Sequence, residues 1–384
     1  MPPPIVPPRD APAVRSTTPP LGAAKASATP APPDSAWLGP TTAIAVPMMI
    51  HGERPFVQVL MDGRSATLIV DTAALDTVVD EHALDDVSDT TISLQIGDAR
   101  MPKLRIVHGD VRSYAQRYLG APADGIIGRD LLARYPVALD FPDRIMTVFR
   151  DSRSAAAAQA PGAVDLPLRV IGGQPAVAGS LDGQQSRWFA LATGAGPQIQ
   201  LDPSLARTTG LSAAQHSIPY EEAGIFGSAS GTLVRARTLA LGKLTFSQPL
   251  VALVTIARSA PPDLSGVLGA MTLSRLNLLI DELASTVSLF VPPGATSARL
   301  YDPSGIAIET RGDSIVVRSI VPGTPADVAH LRAGDEIVSI NGLVPATLDF
   351  ARQLLDGSPG QKVTIVYRRW RFTHTAVIPL HVII

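Results

Sequence analysis

Asp71 ends an apolar run, and its surroundings are the part of the chain best suited to chemistry. In Ile69-Val70-Asp71-Thr72-Ala73-Ala74 an apolar strand delivers one carboxylate into a turn. A carboxylate held there can store a proton or activate a water molecule. The same frame returns downstream as Ala190-Leu191-Ala192-Thr193-Gly194-Ala195, with Ala192 in the aspartate's place. No acidic residue lies between Gln184 and Leu201. Asp182 and Asp202 sit well to either side of Ala192, and Asp76 lies past the Asp71 turn, so none is placed to stand beside Asp71. The seven histidines are scattered without metal-ligand spacing, and neither a metal nor another cofactor is expected. Gly227-Ser228-Ala229-Ser230-Gly231 has alanine at its centre and is no nucleophile elbow.

Short strands must hold these loops. Phe56 to Leu60, then Asp62-Gly63, then Ala66 to Val70 reads as a β-hairpin with a tight turn. Helical signals are brief, at Asp80 to Leu84, Leu131 to Tyr135 and Thr272 to Leu276. Prolines crowd the start of the chain as far as Pro40, among Ala, Ser and Thr, and residues 1–42 are expected to be a disordered tether. The Ala-rich Ser154 to Gly162 stretch reads as a linker, and a second linker lies near Pro292 to Pro303.

The middle of the chain repeats. Gly125, Gly128, Leu132, Arg134, Asp140 and Phe149 recur at one constant offset as Gly266, Gly269, Leu273, Arg275, Asp281 and Phe290, with no gap. Upstream, Asp62-Gly63 matches Asp182-Gly183 at a somewhat shorter offset. Residues 43–150 and 163–291 are therefore two copies of one β-rich unit, joined through 151–162. Two copies imply a pseudo-twofold axis that brings equivalent loops face to face.

An apolar strand running into Asp-Thr-Gly-Ala, followed well downstream by two apolar residues and glycine, resembles the aspartic peptidase fold. Among its members the bacterial retropepsin-like proteins are the nearest in pattern, and the likeness covers both repeats. It implies an all-β bilobal body in which two carboxylates share one proton across a cleft. It also implies that Thr72 and Thr193 lock the loops together and that glycine lets backbone approach the carboxylates. The chain departs from this pattern twice: Ala73 stands where glycine is usual, and Ala192 replaces the second aspartate. The lobes differ in length too. The stretch from Ala192 to Gly242 is nearly twice as long as its counterpart from Asp71 to Gly97. The additional segment holds Gly224-Ile225-Phe226-Gly227, which resembles the flap that closes over bound peptide. Restoring the second carboxylate with Ala192→Asp is expected to give activity if the scaffold is otherwise intact.

Residues 300–384 resemble a bacterial PDZ domain, a small α+β unit. Val321-Pro322-Gly323-Thr324-Pro325-Ala326, then Ala333-Gly334-Asp335-Glu336-Ile337 and Asn341-Gly342, carry the likeness. It implies that a peptide C-terminus adds beside the sheet. Ser304, Gly305 and Ile306 would form the carboxylate loop, and Leu348, Ala351 and Leu355 the helix wall of the groove.

Composition narrows the rest. There are 32 basic and 34 acidic residues, a formal charge of −2, so no basic excess exists to hold nucleic acid. No apolar run is long enough to span a bilayer. The absence of cysteine excludes disulfides, thiolate catalysis and Cys-type zinc sites. The expected partner is polypeptide, taken by a monomer whose cleft opposite Asp71 is filled by its own second lobe. The sequence shows no export signal, and the tether points to the periplasm or cell envelope. Two functions stay open. One is a degenerate peptidase that binds polypeptide without cleaving it, which Ala73 and Ala192 favour. The other is an endopeptidase that uses Asp71.

Overall fold

Alternation of apolar residues along the Arg54–Met61 and Arg64–Val70 strands makes both faces of one hairpin useful. Val57, Val59, Met61, Leu68 and Val70 enter the main core. Phe56 and Ile69, pointing the other way, build a smaller cluster with Val78, Val111 and Leu119. The computed structural model describes residues 36–37, 39–84, 86, 88–211, 216–255, 263–295 and 303–384. The tether expected over residues 1–42 lies mostly outside the described residues. Asp34–Ile384 form one unit.

The body is all-β and bilobal. Each lobe starts its hairpin with an Asp-Gly turn in which both residues have positive φ: Asp62 at 49° and Gly63 at 80°, Asp182 at 53° and Gly183 at 72°. That geometry matches the right-handed twist of the strands it joins. In lobe one the Gly125–Ile127 strand lies parallel to the Arg64–Val70 strand. In lobe two Leu264–Gly269 lies parallel to Arg187–Ala192. The lobes share a sheet in which Val137–Asp140 pairs antiparallel with Asn277–Asp281, Leu139 opposite Leu278 and Val137 opposite Ile280. These two pairs exchange under the offset that relates the repeats, so the pseudo-twofold axis passes between those strands.

Short helices follow each glycine pair, Arg129–Leu132 and Ala270–Leu273, close to the sequence expectation. Asp80 caps a single 3₁₀ turn, Glu81–Ala83. The Ala-rich stretch expected as a linker contains a helix, Ser152–Ala157, capped by Asp151. Ala155 is buried, and Ser152 Oγ donates to Asp281 of lobe two at 3.0 Å, so this segment is packed rather than free.

The C-terminal unit is a five-stranded antiparallel sheet with helices Pro325–Val328 and Leu348–Leu355. It has its own core of Ile306, Val317, Ile340, Val363, Ile365 and neighbours. No helix among the described residues is long and apolar enough to cross a membrane.

Candidate functional site

The two threonine loops meet at the pseudo-twofold axis. Thr72 Oγ1 donates to the Leu191 carbonyl at 2.6 Å, and Thr193 Oγ1 donates to the Val70 carbonyl at 2.6 Å. Each hydroxyl also accepts from the opposite threonine's N–H, at 3.3 and 3.1 Å. Both threonines are buried, so every donor and acceptor of the interlock is matched across the lobes. The loops are built alike one step further out. Ala74 N donates to the Asp71 carbonyl, and Ala195 N to the Ala192 carbonyl; Arg129 N donates to Ala74, and Ala270 N to Ala195.

Equivalent backbones carry unlike side chains. The Asp71 carboxylate accepts from Ala73 N at 3.0 Å and faces Gly194. A Cβ at Gly194 would lie 2.2 Å from Asp71 Oδ2, so the carboxylate requires glycine there. Under the pseudo-twofold relation the equivalent positions are Ala73 and Ala192. Both are buried in one apolar cluster with Ala176, Ala190, Leu264 and Val267. Where the second carboxylate would need a glycine, there are two methyl groups instead. Aspartate with glycine on one side, alanine with alanine on the other, are each self-consistent.

Burial is the largest influence on Asp71 and pushes its carboxyl above the usual carboxylate range. Hydrogen bonds from Ala73, Gly194 and Ala74 N–H and the nearby Arg54 charge act in the opposite direction.

Arg54 is a site residue with no warning in the sequence. Its Nε donates to the Gly194 carbonyl at 3.3 Å, its Nη1 to the Gly52 carbonyl at 2.6 Å, and its Nη2 to Glu222 Oε1 at 3.3 Å. Glu222 belongs to the Ile218–Gly224 strand of the flap hairpin. It also accepts from Gln200 Nε2 at 2.6 Å, Tyr220 Oη at 3.2 Å and Gly196 N. Tyr114 stands within the field of this group. Burial raises its phenol pKa, Glu222 and Asp71 add to the rise, and Arg54 opposes it. A signal for Glu222 did exist, since it opens the glycine-rich flap stretch, but its distance along the chain from Ala192 hid its return to the cleft.

The segment expected as a flap forms the Ile218–Gly224 and Gly227–Arg235 hairpin, with Ile225 and Phe226 at its tip. Ile225 packs on the small lobe-one cluster of Phe56, Ile69 and Val111, so the hairpin crosses the cleft. Phe226 is 73 % exposed. Gly224 and Gly227 pair with each other across the turn.

In the C-terminal unit Ser304 is fully buried, and its hydroxyl accepts from Ile306 N at 3.2 Å. Gly305 has φ of 75° and a Cβ there would strike Thr324 Oγ1 at 2.4 Å, so only glycine fits. Ile306 and Leu355 line a cavity of about 590 Å³ between this unit and the body. Leu348 and Ala351 are instead buried in the unit's own core, and Leu348 abuts Gly120 of lobe one. The cavity also reaches Arg54, Tyr114, Gly196 and Glu222; Asp71 does not line it.

The unit is fixed to lobe one along a polar seam. Arg117 makes two hydrogen bonds of 2.9 Å to Glu309. Asp349 accepts from His51 Nδ1 at 3.1 Å, Gly52 N at 3.1 Å and Arg352 Nη1 at 3.0 Å. Burial alone would raise the Asp349 pKa, but these partners outweigh it and hold the carboxyl below its usual range.

Residues 316–369 match the family model of the PDZ domain. The chain contains that domain. Among solved structures, a photosystem II D1 C-terminal processing protease is 29 % identical over 20 % of this chain, at a TM-score of 0.19. The chain spans about a fifth of that protein, 22 %. An aspartic proteinase from Irpex lacteus is 13 % identical, with 66 % of this chain and 98 % of that one covered, at a TM-score of 0.41. Basic 7S globulin from soybean is 11 % identical over 65 % of this chain and 95 % of its own, at 0.38. No curated protein matches the chain.

Proposed function

We propose that this protein binds polypeptide without hydrolysing it, using an aspartic-peptidase-like body and a PDZ domain that takes C-terminal ends. The observation that carries this reading is the Ala73–Ala192 pair. Hydrolysis by paired carboxylates needs one group to activate water and another to protonate the carbonyl oxygen. At the position equivalent to Asp71 stands Ala192, in one apolar cluster with Ala73, and losing one member of a catalytic unit removes most of the rate. The threonine interlock keeps the two loops rigid, a property useful to a binding cleft as much as to an enzyme.

A second reading has one observation in its favour. Glu222 brings another carboxylate towards the cleft, and the raised pKa of Asp71 suits a proton donor. Against it, Glu222 is tied by four partners, Arg54 among them.

Casein digestion between pH 3 and 8, with wild type beside Asp71→Asn and Glu222→Gln, separates the two. No turnover from any of the three, together with retention of C-terminal peptides, is the expected result. Turnover by wild type that either substitution abolishes would establish the enzyme reading instead.

A further inference from the structure

The PDZ groove opens into the cavity over only part of its length. In the Ile306–Arg311 strand, Ile306, Ala307 and Ile308 line the cavity. Beyond them lobe one covers the strand: Arg117 holds Glu309, and Thr310 Oγ1 donates to the Gln116 carbonyl. A peptide adding beside this strand therefore has the open edge of Ile306, Ala307 and Ile308 before it must turn into the cavity.

A bulge places a cation there. Ala307 pairs with Ser319 and Ile308 with Val317, which leaves Arg318 as the unpaired residue of the partner strand. Bulges of this kind re-aim a side chain and collect near functional sites. Arg318 lines the cavity, and its guanidinium lies 5.8 Å from the Tyr118 ring centroid. Its Nε is buried and has no hydrogen-bond partner among the described residues.

Two of the neighbouring cations are matched, while Arg144 and Glu53 also line the cavity. Arg54 pairs with Glu222 and Arg352 with Asp349. Glu221 and Asp356, also on the wall, face solvent. The Arg318 charge adds to the cationic field at Arg352. The Arg318 guanidinium lines the cavity with no ion pair among the described residues, so the cavity favours a ligand that brings an anionic acceptor.

We propose that Arg318 is a specificity-determining residue: it receives the side-chain carboxylate of a polypeptide whose C-terminal end adds beside Ile306–Ile308. This rests on the PDZ domain taking C-terminal ends. The terminal carboxylate goes to the Ser304–Ile306 loop, so the acidic side chain belongs near the third residue from the end, level with the bulge.

Fluorescein-labelled hexapeptides ending in valine, with Glu or Gln third from the end and each as free acid or amide, provide the test on the full chain. Wild type should bind the Glu acid about tenfold more tightly than the Gln acid, with an advantage that shrinks as salt rises. Arg318→Gln should bring the Glu-to-Gln ratio to about one, and Arg318→Lys should restore part of it. Equal binding of acids and amides would remove the groove reading on which the inference stands. Acid-dependent binding with a Glu-to-Gln ratio near one, or a ratio that survives Arg318→Gln, would overturn the role of Arg318 alone. Should Arg318→Gln fail to fold, the wild-type ratio still decides: a value near one overturns it.

Discussion

Restoring the missing carboxylate requires two substitutions, not one. The geometry at Gly194 gives the measure: a Cβ there would lie 2.2 Å from Asp71 Oδ2 and 2.4 Å from its Cγ. The pseudo-twofold axis relates that contact to Ala73 and position 192. An aspartate introduced by Ala192→Asp meets the existing Ala73 methyl at comparable separation, well inside ordinary contact. Overpacking of this kind costs roughly 1–3 kcal/mol. Burying a second carboxylate beside Asp71 adds a further penalty of about 2 kcal/mol or more unless the two share a proton. Together these approach the lower end of a typical domain stability of about 5–15 kcal/mol. Ala192→Asp should therefore lower the thermal midpoint by roughly 5–15 °C and remain inactive. In Ala73→Gly/Ala192→Asp the methyl is gone and the N–H at position 73 is free to approach the new carboxylate, as Gly194 approaches Asp71. This double variant should regain most of the lost stability at acidic pH and cleave a fluorogenic peptide there. Thermal unfolding and hydrolysis, each followed from pH 3 to 8, read both effects. A single Ala192→Asp variant as stable as wild type, or as active as the double, would refute the argument from packing.

Asp71 has a raised pKa when folded, so the folded state binds its proton more tightly and stability falls as pH rises from about 4 through the folded value. Asp71→Asn should remove that slope and raise the thermal midpoint at pH 7 more than at pH 4. Asp349 works in the opposite sense. Its folded pKa is lowered, so its contribution is full above about 4 and is lost in acid, and Asp349→Asn should flatten acid unfolding as followed by circular dichroism. Thr193→Val leaves the Val70 carbonyl and Thr72 N–H buried without partners, which costs about 2–4 kcal/mol in urea unfolding; Thr193→Ser should recover most of it. Arg117→Ala strips the bidentate partner from Glu309, whose side chain is 1 % exposed, and should speed hydrogen exchange in residues 304–311 well before global unfolding.

The fold was largely legible in the chain because its signals are local. Asp62-Gly63 and Asp182-Gly183 dictate tight turns through their positive φ, whatever surrounds them. The glycine pairs at 125–128 and 266–269 mark a strand entering a short helix, and their fixed offset revealed the duplication. The helix within the Ser154 to Gly162 linker was not legible for the matching reason: alanine carries a weak apolar signal, and the contact that buries Ala155 comes from elsewhere in the chain.

The site divides along the same line. Asp71, Thr72, Ala192 and Thr193 follow from sequence, since each lies in a repeated frame and the duplication brings those frames together. What Ala73 means did not follow. Only the 2.2 Å approach at its counterpart Gly194 turns an alanine for glycine into the steric complement of Ala192. Arg54 and Arg318 were decided by tertiary structure alone, and so was the return of Glu222 to the cleft. Arg54 and Glu222 lie far apart in the chain and meet because the flap folds back over the cleft. Arg318 faces the cavity because one bulge shifts the register of a strand. Backbone turns and apolar periods are written over a few neighbouring residues. Charge pairing across a cleft depends on where distant strands end, and no local pattern encodes that.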